Sequence, residues 1–252
     1  MSKLIFVLLD GCNAATAQEC MGYLSALVAA GKAHYTTQYC ELPALSRPLY
    51  HCILTGILPN QSGIVHNTVW QPHPAPTFFH AAHQAGLVTA AAAYHWINEL
   101  CNGIPTDTHA RLTVNPTLPL SYGLFYNNDA YPDDHVFLDA EALRLHYAPH
   151  LSLVHSMGID YAGHCFGADS AEYRNAVRAA DMLLAQYLPL WLQADYQVVI
   201  TSDHGMNADK SHNGVSKEER QVPVWTITHT PSQSVPSHQY EWFSWCCTAL
   251  GI

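Results

Sequence analysis

Residues 3–11 read KLIFVLLDG, and this stretch decides the fold. Its apolar run, residues 4–9, shows no alternation and ends abruptly at Asp10-Gly11. Such a run is a strand buried on both faces, as in a parallel sheet covered by helices. Working outward, 13–31 is rich in Ala, Leu, Met and Gln and reads as one helix stopped at Gly31, followed by a second strand over 34–41. Residues 77–85 read as a helix closed by Gly86, and 87–94 as a third strand. Residues 151–155 and 198–201 are short apolar runs, each followed by a polar, glycine-containing segment. Between them, the spacing of Asp169 and Glu172 predicts a capping box. Tyr173, Val177, Ala180, Leu184 and Tyr187 then recur at helical steps. A late strand over 222–228 and a terminal amphipathic helix over 238–250 complete the pattern.

Strand and helix alternate, so the expected fold class is α/β, a mostly parallel central sheet with helices on both faces. The segment 68–135 fits less well, with many Pro, Asn, Tyr and Thr residues and weak periodicity. Its part at about 96–134 is expected to form a small cap or long-loop insertion over the site, within a single domain spanning 1–252.

The composition bounds the partners. Hydrophobic residues make up 49% of the 252 and charged residues 12%, enough for a large core. A net charge of −10 argues against nucleic acid as a bulk polyanionic partner. Small phosphate esters stay compatible, because bound divalent cations reverse the local field. The eight cysteines lack any CxxC pair, so reduced thiols are expected rather than a disulfide framework. The N-terminal apolar run is too short for a signal peptide and no stretch reaches the length of a membrane span. A cytoplasmic protein without a membrane partner is the expectation.

In open parallel sheets, functional groups gather beyond the carboxyl ends of strands. Asp10, Asp160 and Asp203 each follow such an end. In Asp160-Tyr-Ala-Gly-His164 the four-residue spacing places carboxylate and imidazole on one helical face. In Ser202-Asp-His-Gly-Met206 a turn at Gly205 lets Asp203 and His204 act together, and His212 follows eight residues on. Singly, each is an ordinary turn acid or surface histidine. Together they supply three carboxylates and three imidazoles, a mixed set that suits two divalent cations, zinc first and manganese second. The candidate nucleophile is Ser46 in PALSRP. No Gly-x-Ser-x-Gly elbow exists to activate it, which leaves activation by metal.

In combination, the DG, DxxxH, SDHGM and His212 segments resemble the alkaline phosphatase superfamily, and within it the nucleotide pyrophosphatase/phosphodiesterase branch. The resemblance covers about 3–67 and 151–252. It implies that Asp160, His164 and His212 ligate one metal and that Asp10, Asp203 and His204 ligate the other. Ser46 is implied as nucleophile and as a bridge toward the second metal. Asn67, in GIVHN, matches the asparagine that holds a phosphate oxygen. Arg47 stands where an aromatic that stacks on a nucleobase is common, and its guanidinium suits a second anionic group of the substrate. The ending EWFSWCCTALGI resembles the family's last helix, so the chain is expected to be complete.

The implied activity is hydrolysis of a phosphodiester or nucleotide pyrophosphate, with a small-molecule phosphate ester as substrate and a phosphoserine intermediate on Ser46. Sulfatases lose support, because Ser46-Arg-Pro-Leu-Tyr50 has tyrosine where their signature has arginine. Metal-dependent phosphoglycerate mutases lack a match to the serine motif. Two alternatives stay open: a phosphonoacetate hydrolase-like enzyme that cuts a carbon–phosphorus bond, and a non-catalytic metal- or phosphate-binding protein on the same scaffold.

Overall fold

The computed structural model describes residues 2–71, 75–105, 111–228 and 234–252; residues 72–74 and 106–110, within the segment expected to fit the fold less well, lie outside the described residues. The strands are β1 Lys3–Leu9, β2 His34–Tyr39, β3 Thr89–Tyr94, β4 Leu112–Val114, β5 Tyr122–Tyr126, β6 Leu151–Ser156, β7 Tyr196–Thr201 and β8 Gln221–Ile227. They form one sheet in the order β2-β8-β7-β1-β6-β3-β5-β4. β1 lies between β6 and β7 and is parallel to both. β3 is parallel to β6 and β5. The antiparallel pairs, β7–β8, β2–β8 and β4–β5, lie toward the two ends. The sheet is therefore mostly parallel, as the unalternating apolar runs imply.

The helices are α1 Ala14–Cys20, α2 Gly22–Ala29, α3 Ser46–Thr55, α4 Pro59–Ser62, α5 Phe78–Gln84, α6 Trp96–Asn102, α7 Asp133–Tyr147, α8 Gly158–Phe166, α9 Ala171–Gln193, α10 Lys217–Arg220 and α11 Trp242–Leu250. They cover both faces. Ile5, Val7 and Leu9 of β1 share a core with residues of α1, α2, α7 and α9. Leu4, Phe6 and Leu8 share the opposite core with residues of α3, α5, α6 and α11. Each of these β1 side chains is almost fully buried, a gain of about 1.5–3 kcal/mol apiece. That holds the strand carrying Asp10 in the middle of the molecule.

Three expectations change. The helix over 13–31 is two helices broken at Met21 (φ −91°, ψ 79°). The N–H groups of Tyr23 and Leu24 donate to the Asp181 carboxylate on α9 at 2.8 and 3.1 Å, so a long-range partner caps α2. The long helix α9 starts not from an Asp169–Glu172 box but from Ser170, whose hydroxyl accepts from Tyr173 N–H at 3.1 Å. Within 96–134, residues form α6, β4 and β5, and the two strands extend the central sheet beside β3. One helix was not legible at all. α3 is buried over all ten residues, with Pro48 in its first turn, where a missing N–H costs nothing.

Candidate metal centre and nucleophile

The three middle strands deliver three acids to one spot. Asp10 follows β1, Asp160 lies in the first turn of α8 just after β6, and Asp203 follows β7; all are at most 4% exposed. Gly11 explains the Asp-Gly pair. Its φ is +69°, and a Cβ there would lie 2.7 Å from the Asp160 Cα. The Gly11 N–H also donates to Asp203 Oδ1 at 3.3 Å, tying two acid-bearing loops together.

The imidazoles are aimed from behind. His204 Nδ1 lies 2.9 Å from Gly205 O, His212 Nδ1 2.6 Å from Ala44 O and His164 Nδ1 3.0 Å from Lys210 O. A carbonyl can only accept, so each Nδ1 carries a proton, and each Nε2 is turned toward the acids. His204 Nε2 then faces Asp203 Oδ2 at 3.1 Å and Asp10 Oδ1 at 3.5 Å. His212 Nε2 lies 4.0 Å from Asp160 Oδ1, with its ring stacked on His204 at 3.7 Å. His164 Nε2 is 3.5 Å from Asp160 Oδ2, its side chain 46% exposed at the rim.

Ligand atoms converge in two groups, Asp160 with His204 and His212, and Asp10 with Asp203 and His204. His204 is thus common to both groups, and His164 stands beside the first rather than within it. Three buried carboxylate oxygens, Asp10 Oδ1, Asp160 Oδ1 and Asp203 Oδ2, have no hydrogen-bond partner among the described residues. Buried carboxylate oxygens gathered beside imidazole nitrogens make a candidate site for a divalent cation.

The electrostatics agree. Burial, then repulsion from Asp203, raises Asp10 and Asp160 well above the usual carboxyl range, and burial takes Asp203 to about 6. Burial pushes His204 and His212 down to about 3, so both are neutral, ligand-ready bases at pH 7.

Two residues that the sequence did not single out hold Asp10. The Tyr94 N–H donates to His155 Nδ1 at 3.2 Å, so His155 Nε2 carries the proton and donates to Asp10 Oδ2 at 3.3 Å. The Tyr50 hydroxyl donates to the same oxygen. Asp10 Oδ2 is therefore filled, and Oδ1 alone is left for an ion. Such outer partners fix ligand orientation. The available signal for Tyr50 was its place one turn beyond Ser46; for His155, a lone imidazole in an apolar strand.

Ser46 opens α3, 4% exposed, with Oγ 3.1 Å from His204 Nε2, so its hydroxyl donates into the cluster. Asn67 joins it indirectly. Its Oδ1 accepts from the Arg47 N–H at 3.1 Å, which leaves the amide NH2 for another acceptor. The Arg47 side chain turns toward Glu99, at 2.9 Å.

The sequence profile of the type I phosphodiesterase / nucleotide pyrophosphatase family matches residues 4–220. Among curated proteins, ectonucleotide pyrophosphatase/phosphodiesterase family member 1 of Mus musculus is 25% identical over 177 residues, 65% of this chain and 19% of that protein. Among solved structures, murine ectonucleotide pyrophosphatase/phosphodiesterase 5 superposes with a TM-score of 0.61 at 16% identity. That match covers 82% of this chain and 58% of the other. Phosphonoacetate hydrolase from Sinorhizobium meliloti, solved with phosphonoformate, gives 0.59 at 20%, covering 81% and 56%. The chain spans less than two thirds of each relative, and at these identities the structural likeness speaks for the fold alone.

Proposed function

Because the chain belongs to the type I phosphodiesterase / nucleotide pyrophosphatase family, we propose that it hydrolyses phosphate esters of the phosphodiester or nucleotide pyrophosphate type at the Ser46 centre. Two divalent cations serve it, zinc first and manganese second, as mixed oxygen and nitrogen ligands favour. The observation that carries this is the set of three orphaned carboxylate oxygens around His204, with Ser46 Oγ 3.1 Å from the same imidazole. Six ligands are assigned: Asp10, Asp160, His164, Asp203, His204 and His212, with Ser46 Oγ beside the Asp10 group.

Bound cations would supply acidity to the Ser46 hydroxyl and offset charge on the non-bridging oxygens. Ser46 Oγ forms the bond to phosphorus as the leaving alcohol or phosphate departs. Water then breaks the Ser46–phosphorus bond and restores the hydroxyl. The Asn67 amide donates to a phosphate oxygen. Asp10, Asp160 and Asp203 hold the cage, with Asp10 oriented by Tyr50 and His155 and Asp203 by the Gly11 amide.

A single domain over 1–252 houses this chemistry, with β4 and β5 of the segment about 96–134 built into its sheet. The free cysteines suit a reducing, cytoplasmic setting. Hydrolysis of a carbon–phosphorus bond is the second reading, since the same fold holds a phosphonate in the phosphonoacetate hydrolase structure. The test is a panel of a chromogenic phosphodiester, nucleotide pyrophosphates and phosphonoacetate, assayed on metal-free protein reloaded with zinc or manganese. Turnover that follows metal content supports the proposal. Two tightly bound metals without turnover of any phosphorus compound would leave a non-catalytic binding protein.

A further inference from the structure

Arg47, the residue after the nucleophile, is built to receive an anion. It is 6% exposed and held on three sides. Nη2 pairs with Glu99 Oε2 at 2.9 Å, the guanidinium carbon lies 4.5 Å over the Trp96 ring, and the backbone N–H is taken by Asn67. Trp96 in turn packs on Tyr50, ring centres 6.3 Å apart, and Tyr50 reaches Asp10. The Arg47 cradle and the metal centre therefore share one wall.

A pair that served only to clamp α3 to α6 would put both Glu99 oxygens on the guanidinium fork, the strongest arrangement open to it. Glu99 instead gives its second oxygen to His95 Nδ1, at 2.8 Å. Burial raises the Glu99 carboxyl, but the hydrogen bond from His95 and the charge of Arg47 outweigh it and hold it below its usual range. Glu99 is therefore an anion, and it serves one donor of the fork. Nε and Nη1 of Arg47 are buried with no hydrogen-bond partner among the described residues. Buried donors on a cation left unmatched are costly, so a ligand oxygen is the natural complement. Orphaned acceptors mark where cations sit; these orphaned donors, one residue from Ser46, mark where negative charge sits.

We propose that Arg47, pinned by Glu99 and Trp96, binds a second anionic group of the substrate. The preferred class is then phosphorus compounds carrying a further phosphoryl or carboxylate near the reacting phosphorus, such as pyrophosphates or phosphonocarboxylates, over simple diesters. This rests on Ser46 being the reacting centre of a hydrolase.

The test uses the full, metal-loaded chain. The ratio of kcat/KM for a nucleoside diphosphate or phosphonoacetate to that for bis(p-nitrophenyl) phosphate is measured in the natural protein, Arg47→Met and Arg47→Lys. Binding of phosphonoacetate against methylphosphonate is measured by calorimetry on the same proteins. The expected result is a fall of roughly tenfold to a hundredfold in both ratios for Arg47→Met, carried by KM, with Arg47→Lys between. A gain for the diphosphate identifies a phosphoryl as the second group, and a gain for phosphonoacetate a carboxylate. Should Arg47→Met not fold, equal binding of phosphonoacetate and methylphosphonate by the natural protein overturns the proposal. Ratios unchanged across all three proteins overturn it while leaving the hydrolase intact. Absence of turnover with a binding ratio that still depends on Arg47 removes the hydrolase and keeps the anion site.

Discussion

The Tyr50 hydroxyl donates to Asp10 Oδ2 from one turn beyond Ser46, so the helix that presents the proposed nucleophile also orients a proposed metal ligand. With His155 on the same oxygen, Asp10 has a single free lone-pair face toward His204. Tyr50→Phe keeps the buried ring and removes only the donor. Divalent metal affinity is expected to fall by about 10- to 100-fold. Titration calorimetry on metal-free protein checks this, and an unaltered affinity would show that Tyr50 only packs.

Asp203→Asn should stabilise the metal-free protein. The amide oxygen can keep the bond from Gly11 N–H, while the substitution removes a buried carboxylate whose Oδ2 has no hydrogen-bond partner among the described residues. An uncompensated buried charge is lost, a gain of about 1–3 kcal/mol, or roughly 2–4 °C in Tm per kcal/mol. Metal binding should be lost in the same variant. A lower Tm in the absence of metal would contradict the orphan assignment.

Ser46→Ala should abolish turnover, by at least about a thousandfold, yet retain metal, because the six ligands stay in place. Activity within tenfold of the natural protein would remove Ser46 from the reaction.

Metal affinity should rise with pH. Burial takes Asp203 up to about 6, so below that value the metal-free protein holds a proton there that the cation must displace. His204 and His212, pushed down to about 3, impose no such competition near neutrality. Each displaced proton makes affinity about tenfold weaker per pH unit of acidification. Calorimetry in two buffers of different ionisation enthalpy measures the protons released. Affinity that stays flat from about pH 5 to about pH 7.5 would mean that the acids are already ionised without metal.

Gly11→Ala joins a left-handed backbone to a clash with the Asp160 backbone, and should cost about 1–3 kcal/mol or more along with metal binding. A normal melt with full metal content would refute the need for glycine.

The sequence made the central strands legible because 4–9 and 198–201 are buried on both faces, so their apolar runs lack alternation. The acids beyond them followed from strand ends. α3 was hidden for another reason: its polar stripe, Arg47, His51 and Thr55, is buried along with its apolar face, and Pro48 interrupts the helical reading of the run. The break at Met21 depends on Asp181, and the hold on Asp10 depends on His155; both partners are more than a hundred positions away. No local pattern encodes such pairs. The Glu99 partner of Arg47 was hidden in the same way, inside a stretch whose periodicity said little.

β1 sits between β6 and β7, and Gly11 meets Asp203 across 192 positions of chain. A growing polypeptide therefore brings Asp10 and Asp203 together only after the segment carrying β7 has been made. A cation held between them would report that these two distant segments have found one another, which makes loading a natural late checkpoint on assembly.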